Sequence, residues 1–220
     1  MNHLHQEHAV DLQQSLTFPE DVEVTDFLGE GGRAYVYKAR LGQETVVVKV
    51  YRRQVVQKYL DKYKVDIAEY EYQRNLALYE IPEIKIYIAK PYRVHPLSGE
   101  HSHSFIQECV TGKTLKELIA ELGYLPSEIL AAGHKIVQQA EAHGVHDLDI
   151  SVGNIIVNQH DEKWRPKLYD FNLMSQYLFP PNPFMGLAMK LGIRGKSYRD
   201  YRSLRNWEKR GKNKIWIGKN

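Results

Sequence analysis

A single lysine sits in the apolar run Val46-Val47-Val48-Lys49-Val50, and burying an ammonium group is costly unless a counter-charge meets it. The bland account is an edge-strand lysine that extends its head to water. A Gly- and Pro-free stretch that includes Ala68-Glu69-Tyr70-Glu71-Tyr72 weakens that account, because a helix there offers a carboxylate. Glu71 is the choice, since Leu78 lies seven residues on and would bury the same helical face, with Glu69 as the alternate. A lysine held this way could grip the α- and β-phosphates of a nucleotide. Upstream, Gly29-Glu30-Gly31-Gly32-Arg33-Ala34-Tyr35-Val36 joins two β-rich runs. In a turn without side chains at Gly29, Gly31 and Gly32, backbone N–H groups can approach phosphate oxygens. Taken alone, a Gly-rich hairpin is more often just a turn.

Two further clusters carry oxygen ligands. Asp149 and Asn154 stand five residues apart in His146-Asp147-Leu148-Asp149-Ile150-Ser151-Val152-Gly153-Asn154. In phosphoryl transfer a carboxylate orients the attacking hydroxyl, and a nearby amide oxygen can ligate magnesium. Read in isolation, Asp and Asn in such a loop do no more than satisfy turns. Asp170, in Lys167-Leu168-Tyr169-Asp170-Phe171-Asn172, follows Asn154 by sixteen residues and supplies a second hard oxygen.

The elements that must position these groups follow from patterning. Val22–Leu28, Ala34–Ala39 and Thr45–Tyr51 read as an antiparallel meander, and Gln54–Tyr79 as one helix bounded by Pro82. Ile84–Val94 and Ser104–Val110 read as two more strands around a His-rich turn. Thr114–Leu122 and Pro126–Ala142 read as helices, the second with Gly144 just past its end. Ile155–Val157 and Lys167–Tyr169 read as a small hairpin. The expected class is α+β, with two lobes: a five-stranded antiparallel N-lobe with one helix, then a short, mostly helical C-lobe. The expected boundaries are a mobile leader over 1–17, the N-lobe over 18–111, the C-lobe over 112–185 and a basic tail over 186–220.

The five clusters, in this order, resemble the protein-kinase-like superfamily: a loop of pattern G-x-G-x-x-A-x-V, a strand lysine, a helix glutamate, D-x-x-x-x-N, and D-F-N in place of D-F-G. The resemblance covers about Val22 to Leu173. It implies ATP and Mg2+ as cofactors, Val36 and Val47 flanking adenine, and Gln107, Glu108 and Val110 in a hinge segment that hydrogen-bonds it. It further implies Asp149 as the catalytic carboxylate, Lys49 with Glu71 as phosphate anchor, and Asn154 with Asp170 as magnesium ligands. The departures are Asp147-Leu148 where His-Arg is usual and Asn172 where a flexible glycine is usual. The first removes the arginine that receives a phosphorylated activation loop; the second stiffens the metal loop. Neither removes a group that touches phosphate or metal.

Charge divides the chain. From residue 186 to 220 eleven Lys or Arg stand against Asp200 and Glu208, a net +9, whereas the remaining 185 residues carry −6. Such a segment suits an anionic partner, and interleaved Tyr198, Tyr201, Trp207, Ile215 and Trp216 suit an interface. Its arginine-rich sequence resembles the endings of small bacterial lipopolysaccharide-core sugar kinases and of the kinase-like group of the PhoP regulatory network. Only 50 residues follow Asp170, too few for the usual peptide-docking platform. The expected acceptor is therefore a hydroxyl of a sugar, glycolipid or other small molecule. A minimal protein kinase and a non-catalytic ATP-binding regulator are the alternatives, and a nucleic-acid partner ranks last. One cysteine, Cys109, excludes an internal disulfide framework, and with no signal or membrane-spanning pattern the expected location is the cytosol, peripheral at the inner membrane face.

Overall fold

The computed structural model describes residues 18–96, 103–160 and 163–213. The leader with His3, His5 and His8, most of the His-rich turn, and the last residues including Trp216 lie outside the described residues. The chain divides into two compact units, one of residues 1–73 and 90–109, the other of 74–89 and 110–220.

The first unit is built on five antiparallel strands, β1 (Val22–Glu30), β2 (Ala34–Leu41), β3 (Glu44–Tyr51), β4 (Pro91–Pro96) and β5 (His103–Glu108), in the order β1-β2-β3-β5-β4. Period-two alternation gives the sheet two apolar faces. Tyr37, Ala39, Val46, Val48, Val50 and Ile106 form a core on one of them. Residues 46–51 of β3 are all buried, the signature of a strand covered on both sides.

The single helix expected over Gln54–Tyr79 is two: α1 (Arg53–Tyr63) and α2 (Ile67–Tyr79). Lys64 closes α1 in the left-handed conformation, φ 58°, and the Asp66 carboxylate restarts the chain by accepting from the N–H groups of Ala68 and Glu69 at 2.8 and 3.1 Å. Asp66 thus acts as an N-cap inside a stretch whose composition is helical throughout.

The expected strand over Ile84–Val94 is also corrected. Residues Lys85–Tyr87 form a 3-10 turn and only Pro91–Pro96 is strand. Ile84 and Ile88 are buried while Ile86 is exposed, a spacing no strand can produce, since residues 84, 86 and 88 would share one face. Ile84 and Ile88, with Leu78 and Ile81, join the core of the second unit, so residues 74–89 belong there despite preceding β4.

In the second unit a three-stranded sheet, β6 (Lys113–Thr114), β7 (Ile155–His160) and β8 (Lys163–Leu168), packs with α3 (Leu115–Leu122) and α4 (Ser127–Ala142). Thr114 and Glu117 form a capping box on α3: the threonine Oγ1 accepts from the Glu117 N–H at 3.2 Å, and the Glu117 carboxylate accepts from the Thr114 N–H at 2.8 Å. Two further helices follow, α5 (Pro183–Lys190) and α6 (Tyr198–Asn213). The expected basic tail is thus in large part a packed helix: Leu204 and Trp207 are fully buried in the core with Ile129, Ile136 and Val137. The contact is made possible by Gly133 of α4, where an added Cβ would come within 2.7 Å of the Trp207 ring. Among the described residues no helix is long and apolar enough to cross a membrane.

Candidate active site

Within the first unit, Lys49 is buried on β3 and its Nζ lies 2.5 Å from Oε1 of Glu71, which has no exposed surface. The other carboxylate oxygen accepts from the Tyr51 hydroxyl. Glu69, the alternate, is exposed and accepts from Gln73 Nε2 one turn along at 2.7 Å. The two glutamates therefore fall on different sides of α2. Cross-strand register sets what accompanies the pair. Val36 and Phe105 stand directly opposite Lys49, and Gln107 stands opposite Val47. Opposed residues share a face, so Val36, Val47, Lys49, Phe105 and Gln107 line the side of the sheet away from Tyr37 and Val48. The lysine Nζ is 5.7 Å from the Phe105 ring centre.

The Gly-rich turn ends this face. Gly29 has φ +148°, a conformation that favours glycine, and an added Cβ at Gly29 or Gly32 would meet nothing within 4 Å. The turn closes through the Gly31 N–H donating to the Ala34 carbonyl at 2.9 Å. Two N–H groups of the expected hinge are already engaged: Glu108 donates to the Lys90 carbonyl at 2.8 Å and Cys109 to the Thr45 carbonyl at 3.3 Å. Burial pushes the Cys109 thiol above its usual range. Val110 begins the second stretch of the second unit.

Asp149, Asn154 and Asp170 belong to that unit, on the loop after α4 and just past the end of β8. The backbone carrying them is tied down residue by residue. The Asp200 carboxylate accepts from the N–H groups of Asp147 and Leu148 at 2.8 and 2.7 Å. The Arg74 guanidinium donates to the carbonyls of His146 and Asp147 at 2.7 and 2.9 Å. The Trp207 indole donates to the Ile150 carbonyl at 3.0 Å, and the Tyr169 hydroxyl to the Gly153 carbonyl at 2.7 Å. Asp147 and Asp149 both sit in the left-handed region, φ 59° and 56°, a conformation disfavoured for non-glycine residues and sustained here by these bonds.

Buried Asp147, in the place usual for histidine in the resembled motif, accepts from the Gln176 N–H at 2.6 Å and lies 3.5 Å from the Arg199 guanidinium. His146 is satisfied by the Ser197 hydroxyl at 3.0 Å; burial, then the nearby Lys196 charge, lowers its pKa and favours the neutral ring. Burial, opposed by the Leu148 N–H and reinforced by Asp147, raises the Asp200 carboxyl to about 7.

The Asn154 Nδ2 donates to the Asp149 carbonyl at 3.0 Å. The Tyr169 N–H donates to the Asn154 carbonyl at 3.2 Å, bringing the chain just before Asp170 beside Asn154. Asp170 Oδ1 accepts from Asn172 Nδ2 at 2.5 Å, so the residue that replaces glycine braces the carboxylate. The Asn154 amide oxygen and the Asp170 carboxylate are hard oxygen donors of the type that suits a divalent cation such as Mg2+.

Sequence reasoning missed Tyr51, Arg74, Asp200 and Trp207 as supports of the site. Asp200 had a signal: it is the one carboxylate between Asp170 and Glu208. Arg74 had none, since an arginine on a helix is ordinarily a solvated residue.

No family model matches the sequence, and no curated protein matches it. Many solved structures do. Rad53 residues 1–466, solved in complex with AMP-PNP, superposes with TM-score 0.52 at 22% identity, over 77% of this chain and 44% of that one. The Mycobacterium tuberculosis PknI kinase domain superposes with TM-score 0.52 at 17% identity, over 73% and 62%. A cysteine-to-alanine mutant of that domain gives 0.54 at 19%, over 73% and 63%. The chain thus spans less than two thirds of the length of these neighbours. At such identities the likeness establishes the fold: this is a protein-kinase-like α+β fold, with the five-stranded antiparallel sheet expected of it.

Proposed function

We propose that this protein is an ATP- and Mg2+-dependent phosphotransferase that phosphorylates a hydroxyl of a sugar, glycolipid or other small molecule. The observation that carries the reading is the buried Lys49–Glu71 pair at 2.5 Å. A buried ion pair is a poor way to gain stability, and a lysine fixed on a sheet face beside Val36 and Val47 suits the phosphates of a nucleotide whose base lies on those valines. The adenine edge would meet the backbone of residues 107–110, where the Glu108 and Cys109 N–H groups are already bonded to other carbonyls.

In this mechanism Lys49, held by Glu71, binds the α- and β-phosphates, and the turn at Gly29, Gly31 and Gly32 shields the phosphate chain from water. Asp149 accepts a hydrogen bond from the acceptor hydroxyl, orients its oxygen toward the γ-phosphorus and takes its proton as the new O–P bond forms. The bond from the γ-phosphorus to the bridging oxygen breaks, and that electron pair leaves on ADP. Asn154 and Asp170 would hold Mg2+, which when bound neutralises charge on the phosphates.

The test is a thermal-shift titration with ATP and MgCl2, followed by an acceptor screen that monitors ADP release. Stabilisation by ATP·Mg2+ and acceptor-dependent ADP release in wild type, both lost in Asp170→Asn, are expected. Full turnover in Asp170→Asn, or no stabilisation by any adenine nucleotide, would sink the assignment. A second reading, a minimal protein kinase, is favoured by the kinase domains among the structural neighbours; labelled phosphate on a polypeptide and none on carbohydrate would select it. ATP binding with no transfer to any acceptor would select a non-catalytic regulator.

A further inference from the structure

Among the described residues, four of the large apolar side chains left in water fall within ten positions of one another. On α5, Phe184 is 84% exposed and Leu187 follows it at helical spacing, while Met189 turns inward and is buried. Leu191, 64% exposed, continues the same stripe, and Ile193, 77% exposed, lies just beyond. A soluble surface rarely leaves so many large side chains uncovered within ten residues. The same segment has a second property: from Phe171 to Arg199 there is no Asp or Glu, while Lys190, Arg194, Lys196 and Arg199 lie within it.

The interfacial role suggested by the C-terminal sequence must be relocated. Trp207, one of the interleaved residues expected to serve it, is in the core and donates to the Ile150 carbonyl. Phe184, Leu187, Leu191 and Ile193, all exposed, precede α6. We infer that α5 and the turn after it, Phe184 to Lys196, form a docking surface for an anionic phospholipid bilayer. Phe184, Leu187, Leu191 and Ile193 would enter the headgroup boundary, and Lys190, Arg194 and Lys196 would meet the lipid phosphates. A protein partner of ordinary mixed charge would not need an acid-free stretch of 29 residues, whereas a bilayer with negative surface potential repels every carboxylate and attracts each cation. The inference does not depend on phosphate transfer and stands or falls separately from it.

Cosedimentation of the full chain with vesicles tests it. Vesicles of phosphatidylcholine mixed with phosphatidylglycerol should pull the protein down, vesicles of phosphatidylcholine alone much less, and added salt should weaken the first. The triple variant Lys190→Gln, Arg194→Gln, Lys196→Gln should bind roughly a hundredfold more weakly, at about fivefold per cation. Phe184→Ser with Leu187→Ser should lose binding to both vesicle types while keeping the wild-type far-ultraviolet circular dichroism and melting temperature, as exposed sites allow. Equal binding to neutral and anionic vesicles, or variants that bind like wild type, would overturn the proposal. So would concentration-dependent dimerisation abolished by Phe184→Ser, which would assign the patch to a second copy of the chain.

Discussion

At the scale of single residues, Glu71, Asp147 and Asp200 are carboxylates buried at a cost, and each is held by named partners. Glu71 is satisfied by Lys49 and Tyr51. Lys49→Met should therefore lower stability by about 3–5 kcal/mol, because it strands a buried charge. Adding Glu71→Met to it should restore most of the loss. Urea denaturation of the two single variants and the double would show it, and additive losses would contradict the pairing. Asp200 makes a different prediction. Its carboxyl is raised from the ordinary 3.8 to about 7 in the folded protein. Between those values the folded state holds a proton that the unfolded state has released. Stability should accordingly fall as pH rises from about 4 to 7, by at most about 1.4 kcal/mol per pH unit from this group. Asp200→Asn should flatten that slope in denaturation curves taken across the window, while costing about 1–3 kcal/mol from the lost acceptor.

At the scale of elements, close approach decides where glycine is required. Gly112, just before β6, has φ +138°, and an added Cβ would lie 2.4 Å from the Val157 carbonyl oxygen. Neither the torsion nor a backbone oxygen can yield readily. Gly133 has an ordinary helical torsion, and its obstacles are the ends of the Trp207 and Leu204 side chains at 2.7 and 2.8 Å. Gly133→Ala should cost about 1–3 kcal/mol through overpacking, partly offset by about 1 kcal/mol of helix propensity. Gly112→Ala should cost clearly more. Melting temperatures of the two variants test the order, and a more stable Gly112→Ala would refute the geometry. The helix break at Lys64–Asp66 belongs to this scale as well. Composition favours helix on both sides, and only the capping of α2 by Asp66 reveals two elements.

At the scale of the whole molecule, ligand binding sets the size of the effect to look for. If ATP·Mg2+ binds the folded protein alone, a concentration one hundred times its dissociation constant adds about 2.7 kcal/mol. For a chain of this size that corresponds to a rise of roughly 5–10 °C in melting temperature. Asp170→Asn should abolish the magnesium-dependent part of the shift, read with and without the metal at fixed ATP. The charge asymmetry is also a property of the whole chain. It drew attention to residues 186–220, but the cations of α6 ride on a helix whose apolar side is core, while the exposed Phe184, Leu187, Leu191 and Ile193 lie on α5 and just after it.

The order and spacing of the Gly turn, Lys49, Glu71, Asp149, Asn154 and Asp170 were legible from the residues, as was the five-stranded sheet, because strand periodicity and turn chemistry are local. Leu78 even pointed to Glu71 over Glu69 through helical spacing. What packing alone decided is long-range: that Ile84 and Ile88 leave the strand pattern to join a core built after residue 110, that Trp207 is interior, and that Asp200 and Arg74 clamp a loop 53 and 72 residues away from them. Those contacts depend on which faces meet once helices and sheet are packed. A one-dimensional pattern records which residues want to be buried, but not against what.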